Sequence, residues 1–141
     1  MKRSTSLIGD VQRRWFLAAI ILSAVASFVH VLATPEHFEE WFGYGLFFLV
    51  MAGLQDLFAF LLLYVGPAHR KLLWAGIVGN ALIIGLYLIT RTVGIPFFGP
   101  EAGEVEAVGG LDVFSKLVEV ALIVCLVQLL RTASEARTIE A

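Results

Sequence analysis

Residues 41–65 read WFGYGLFFLVMAGLQDLFAFLLLYV, an apolar run interrupted only by Gln55 and Asp56. A helix crossing the hydrocarbon core of a bilayer needs about 20 mainly apolar residues, and this run exceeds that length. Three more stretches qualify. The first runs from Trp15 to Ala33, with His30 its only ionisable group. The third extends from Leu72 to about Val93 and carries Asn80 and Arg91; the fourth, Leu111 to Leu130, carries Asp112, Lys116 and Glu119 in its outer half. Breaks at Thr34-Pro35 and Gly66-Pro67, and a longer Gly/Pro-rich segment over 94–110, separate them. Irregular backbone and open sheet edges cannot face lipid. The sequence therefore predicts an all-α fold, a polytopic integral membrane four-helix bundle forming a single domain over residues 1–141.

Composition points the same way. Hydrophobic residues make up 59% and charged residues 16% of the chain, with a mean hydropathy of +0.86. A soluble domain usually carries about 25% charged residues, and one of this size could not hide so much apolar surface. This excludes a soluble enzyme and a disordered chain. The net charge of −2 offers nothing to a phosphate backbone, so no nucleic-acid partner is expected. The expected partner is the lipid bilayer. Cys125, the sole cysteine, excludes an internal disulfide and a cysteine-built metal site.

Basic residues set the orientation. Lys2, Arg3, Arg13 and Arg14 precede the first span, Arg70 and Lys71 lie between the second and third, and Arg131 and Arg137 follow the fourth. The other two loops hold no Lys or Arg but contain Glu36, Glu39, Glu40, Glu101, Glu104 and Glu106. Positive loops stay cytoplasmic, so both termini are expected inside a cell membrane and the acidic loops outside. Val31-Leu32-Ala33 loosely resembles a signal cleavage site. The apolar run before it is longer than the roughly 7–15 residues of a signal core, which favours a retained span.

Residues at i, i+4, i+7 and i+11 share one helix face. Ala19, Ser23, Ser27 and His30 form such a stripe in the first span, and Gly45, Ala52, Asp56 and Leu63 in the second. Gly76, Asn80, Ile84, Tyr87 and Arg91 follow in the third, then Asp112, Lys116 and Glu119 in the fourth. Gln55 and Gln128 fall outside the stripes. A charge facing lipid costs about 2.5–3.5 kcal/mol on insertion scales, so these stripes are expected to face inward. Small residues on them allow close backbone approach.

Depth divides the polar groups into two layers. His30, Tyr87, Arg91, Lys116, Glu119 and Asp112 gather toward the outer leaflet, where pairs such as Lys116–Glu119 and Arg91–Glu119 would neutralise one another. The bland reading is an ion-pair network that fixes helix register. The sharper one is an outward-facing polar pocket that binds a small ligand or relays protons. Deeper, Asp56 and Asn80 match in height and are expected to pair, either pinning two spans together or handling a proton. His30, Glu36, His37 and Glu40 are the best metal-ligand candidates, although they match no recognised ligand spacing. Haem within the bundle would want two facing histidines, and His30 is the only one in the spans. No nucleophile elbow, phosphate-binding loop or metalloprotease helix occurs, so no catalytic residue is indicated.

The segment Thr90-Arg91-Thr92-Val93-Gly94-Ile95-Pro96, followed by Gly99-Pro100-Glu101, Gly103, Glu106, Gly109 and Asp112, resembles a signature of small four-span bacterial membrane proteins of unassigned function. The stretch from His37 through Trp41 to Gln55 is similar to the same group. The resemblance implies the four-span architecture and supplies no activity. The Phe97-Phe98 pair makes the loop one residue longer than that signature. The loop's three Glu residues face a cationic cluster, which suggests a lid that contacts Arg91 or Lys116.

Two functional classes follow. One is an accessory or interaction subunit, or a small-ligand binder with a polar outer-leaflet pocket; a membrane-protein partner or a second copy of the chain fits this class. The other is a transporter or redox-linked membrane enzyme component using Asp56 or the His30/Arg91/Glu119 cluster.

Overall fold

The first helix does not stop at its proline. In the computed structural model, which describes the backbone of residues 2–140 and the side chains of residues 9–134, α1 runs Lys2–Glu40 with Pro35 inside it. Proline lacks an N–H and crowds the preceding turn, so a break was expected at Thr34-Pro35. Polar side chains on either side of the proline bond back to helix carbonyls. Thr34 Oγ1 donates to the His30 carbonyl at 2.7 Å, and His37 Nδ1 lies 2.8 Å from the Ala33 carbonyl. The chain turns only at Trp41, whose backbone is extended.

Helix α2 covers Phe42–Val65, α3 Arg70–Thr92 and α4 Gly110–Glu140. Gly66 ends α2 at φ +88°, a left-handed value that glycine adopts without strain. The His69 ring starts α3 by accepting from the Leu72 N–H. All four helices are long and apolar enough to cross a membrane. Each outlasts or matches its apolar run, because a helix need not end where its hydrophobic stretch does.

Side-by-side order differs from chain order. α1 packs against α2 and α4, and α4 packs against α3. Helices α2 and α3, although joined by a short turn, make almost no backbone approach to one another. The row α2–α1–α4–α3 therefore curves around an open seam. The apolar core lies toward the end that holds the chain termini and comprises Ala19, Leu62, Leu73, Leu122, Leu126 and Leu129, all nearly inaccessible. Burial follows position in the row. In its most apolar window α4 is 44% buried, whereas α3, at the rim, is only 17% buried.

Expected and observed faces agree for α1, where Ala19, Ser23, Ser27 and His30 are all buried. They disagree for α2. Its buried line is Gly45, Ala52, Gln55, Ala59 and Leu62, while Asp56 and Leu63 are exposed. The Ser23 hydroxyl donates to the Gln55 carbonyl at 2.8 Å and fixes this register between α1 and α2. Cys125 is buried as an apolar filler. α4 buries Glu119 as well because it lies between two neighbours.

Candidate functional site

At the end of the bundle that carries the long connection between α3 and α4, side chains from three helices and the connection itself form one linked network. Lys116, one turn before Glu119 on α4, places Nζ 2.7 Å from Glu119 Oε2 and 2.9 Å from Oε1. Ser115 Oγ donates to Glu119 Oε1 at 3.2 Å. From α1, His30 Nε2 approaches the same carboxylate to 3.8 Å, while its Nδ1 lies 2.8 Å from the Ala26 carbonyl. A carbonyl only accepts, so Nδ1 carries a hydrogen and Nε2 is the nitrogen turned toward Glu119. Glu119 is completely enclosed, and these contacts are what make a buried carboxylate tolerable.

Tyr87 joins this group to Arg91. Its ring lies 5.1 Å from the Arg91 guanidinium and 5.4 Å from Lys116 Nζ, so one aromatic ring serves two cations. Arg91 pairs with Asp112 at 2.8 Å and with Glu106 of the connecting loop, and also donates to Thr90 Oγ1. The expected Lys116–Glu119 pair thus forms, whereas Arg91 turns to Asp112 and Glu106 rather than to Glu119. The reason is position: Arg91 sits in the last turn of α3, beside the loop and the first turn of α4.

The connecting loop is bound down over this network. The Glu106 N–H donates to the Thr90 carbonyl at 3.1 Å, and the Gly103 N–H to the Ile95 carbonyl at 2.8 Å. Gly94 (φ +74°) packs against the backbone of Gly103 and Glu104, where a side chain would collide with the Glu104 carbonyl. Tyr44 Oη donates to the Phe98 carbonyl at 3.0 Å, and Trp41, Tyr44 and Phe98 form an aromatic cluster. The loop is therefore tied to the start of α2 as well as to the end of α3.

Beneath this roof lies a cavity of about 550 Å³, bounded by His30 and His37 of α1, Phe47 and Phe48 of α2, Tyr87 and Arg91 of α3, and Lys116 of α4. The His37 ring packs on Phe48 with centroids 3.8 Å apart. A second cavity, about 520 Å³, continues along the seam between α2 and α3. The two share Phe47, Ile83 and Leu86 as lining. At the far end Phe58 of α2 lies against Gly76 of α3, where any side chain on Gly76 would strike it. Together they form a cleft with charged groups at one end and a mostly apolar shaft.

Two sequence expectations are corrected here. Asp56 and Asn80 do not pair. Asp56 is exposed and lies outside both cavities, whereas its neighbour Gln55 is buried and lines the deeper one with Asn80. Adjacent residues differ by about 100° in helical phase, so the register set by Ser23 brings one inward and turns the other away. Nor are His30, Glu36, His37 and Glu40 brought together. His30 and His37 face the cavity, Glu36 and Glu40 are exposed, and no group of three metal-binding side chains converges among the described residues.

Sequence reasoning missed the contributions of Gln55 and Ser115, and singled out His37 only as a metal-ligand candidate. Gln55 is an uncharged neighbour of a charged residue, and the rule that turns charge inward selects the wrong one of the two. The chain matches no protein-family model, no curated protein and no solved structure, so the loop resemblance gains no support beyond the residues that carry it.

Proposed function

We propose that this chain is a small membrane-embedded binding protein that holds a lipophilic molecule in the cleft between α2 and α3. The observation that carries this reading is the seam itself. Two adjoining helices stand apart over linked cavities of about 550 and 520 Å³, each within the roughly 300–1,000 Å³ usual for small-molecule sites. Their walls are mostly aliphatic and aromatic, and the charged groups sit at one end. That lining suits a guest that is mostly hydrocarbon and lies along the shaft.

In this reading the four helices form one unit in a cell membrane with both termini on the cytoplasmic side, as the distribution of Lys and Arg supports. The loop then roofs the cleft from the outside, and the guest enters laterally from the outer leaflet. An accessory role with a membrane-protein partner draws support from exposed Asp56, a carboxylate within an apolar helix. A proton-relay role for Asp56 through the cleft loses support, because Asp56 lies outside both cavities.

The test uses cis-parinaric acid, a fluorescent fatty acid, titrated into the purified chain in lipid nanodiscs. Saturable energy transfer from tryptophan at one probe per chain is expected, and Ile83→Trp, which fills the junction of the two cavities, should abolish it. Non-saturable partitioning identical to that of Ile83→Trp would overturn the proposal.

A further inference from the structure

Two residues that line the deeper cavity carry buried polar atoms without a partner in the chain. Gln55 and Asn80 are 4% and 5% exposed and both line this cavity. Asn80 Nδ2 donates to the Gly76 carbonyl one turn back at 2.8 Å, which fixes the amide and leaves Oδ1 without a partner. Gln55 has neither its Oε1 nor its Nε2 satisfied. Buried side-chain amides are nearly always hydrogen-bonded, because an unpaired one forfeits its hydration without compensation. Two such groups on facing helices in one apolar cavity are an unfilled hydrogen-bonding site.

We infer that Gln55 and Asn80 form a recognition site for a lipophilic molecule that carries a hydrogen-bond donor, best met by an alcohol. The inference rests on the cleft being a ligand site. The donor requirement follows from Asn80, whose free atom is an acceptor only. A hydroxyl carries both functions these atoms lack, a donor for Asn80 Oδ1 and an acceptor for Gln55 Nε2. An ether or ketone can accept from Gln55 but leaves Asn80 Oδ1 unpaired. The surrounding wall is apolar, with Phe47, Leu54, Phe58 and Ile83 among its residues, so the remainder of the guest is hydrocarbon. The site selects by hydrogen bond and the shaft by hydrophobicity. Neither choice depends on the ionic network, which lies at the opposite end of the cleft.

Decanol and decyl methyl ether, which differ in possessing the O–H donor, separate the possibilities. Each is used to displace cis-parinaric acid from the full chain in nanodiscs, with concentrations expressed per lipid to remove partitioning differences. Decanol is expected to displace at about one tenth the concentration of the ether or less, the margin expected for one buried hydrogen bond left unmade. Asn80→Leu should bring the two compounds together, each measured against that variant's own affinity for cis-parinaric acid. Gln55→Met serves the same purpose should Asn80→Leu fail to fold. Equal displacement by both compounds in the unaltered chain would overturn the donor site and leave the cleft reading intact. A preference that survives Asn80→Leu and Gln55→Met would overturn its placement. Displacement by neither, with no saturable probe binding, would overturn the cleft reading and this inference together.

Discussion

Glu119 is the most deeply buried charged residue among those described, and its enclosed side chain meets Lys116, Ser115 and His30. Removing one member of a buried ion pair leaves the other uncompensated and typically costs about 3–5 kcal/mol, whereas replacing both with apolar groups is often neutral. Glu119→Leu should therefore lower the unfolding free energy by about 3 kcal/mol. The double variant Lys116→Met/Glu119→Leu should recover most of that loss in a denaturation series in mixed micelles. An additive double variant would contradict the coupling. Asp56 offers the opposite case. It has no hydrogen bond or ion pair among the described residues and is exposed, so Asp56→Leu should change stability by no more than about 0.5 kcal/mol, or raise it. A loss of 1 kcal/mol or more would restore the expected Asp56–Asn80 pair. Which of Gln55 and Asp56 faces inward was not legible in the sequence. The two are one position apart, and a rule that ranks charge above amide decides against the geometry fixed by Ser23.

At the scale of elements, all four helices and their order were legible, since runs of about 20 apolar residues leave few alternatives to a helix. Their ends were less so. Pro35 suggested a stop, yet α1 continues to Glu40 while Thr34 and His37 engage carbonyls nearby. The loop between α3 and α4 was anticipated as a lid from charge complementarity alone. It is held by the Arg91–Glu106 pair, the Glu106–Thr90 backbone bond and the close approach at Gly94. Arg91→Ala should release this loop, and limited proteolysis of the reconstituted chain should show faster cleavage within residues 95–109. Gly94→Ala should act in the same direction, because it places a side chain against the Glu104 carbonyl at a positive φ. Unchanged cleavage in both variants would mean that these contacts do not hold the loop.

For the molecule as a whole, the six residues grouped by helical phase and depth (His30, Tyr87, Arg91, Asp112, Lys116 and Glu119) do form one network. Phase and rise suffice for that, because each residue's height along its helix is fixed by counting. What counting cannot supply is which helices touch. A closed bundle was the simplest expectation, but α2 and α3 stand apart and leave the cleft. Closure depends on side-chain volumes along the seam, where Phe58 meets Gly76 at one end and Phe47 and Ile83 leave space nearer the middle. A binding role requires that space to hold a guest. Crystals of the chain grown with an ω-bromo derivative of decanol would locate the guest by the anomalous scattering of bromine. A single bromine position between α2 and α3 is expected, with the hydroxyl end at Gln55 and Asn80. Bromine found only on the outer surface of the helices, or at no defined position, would contradict it.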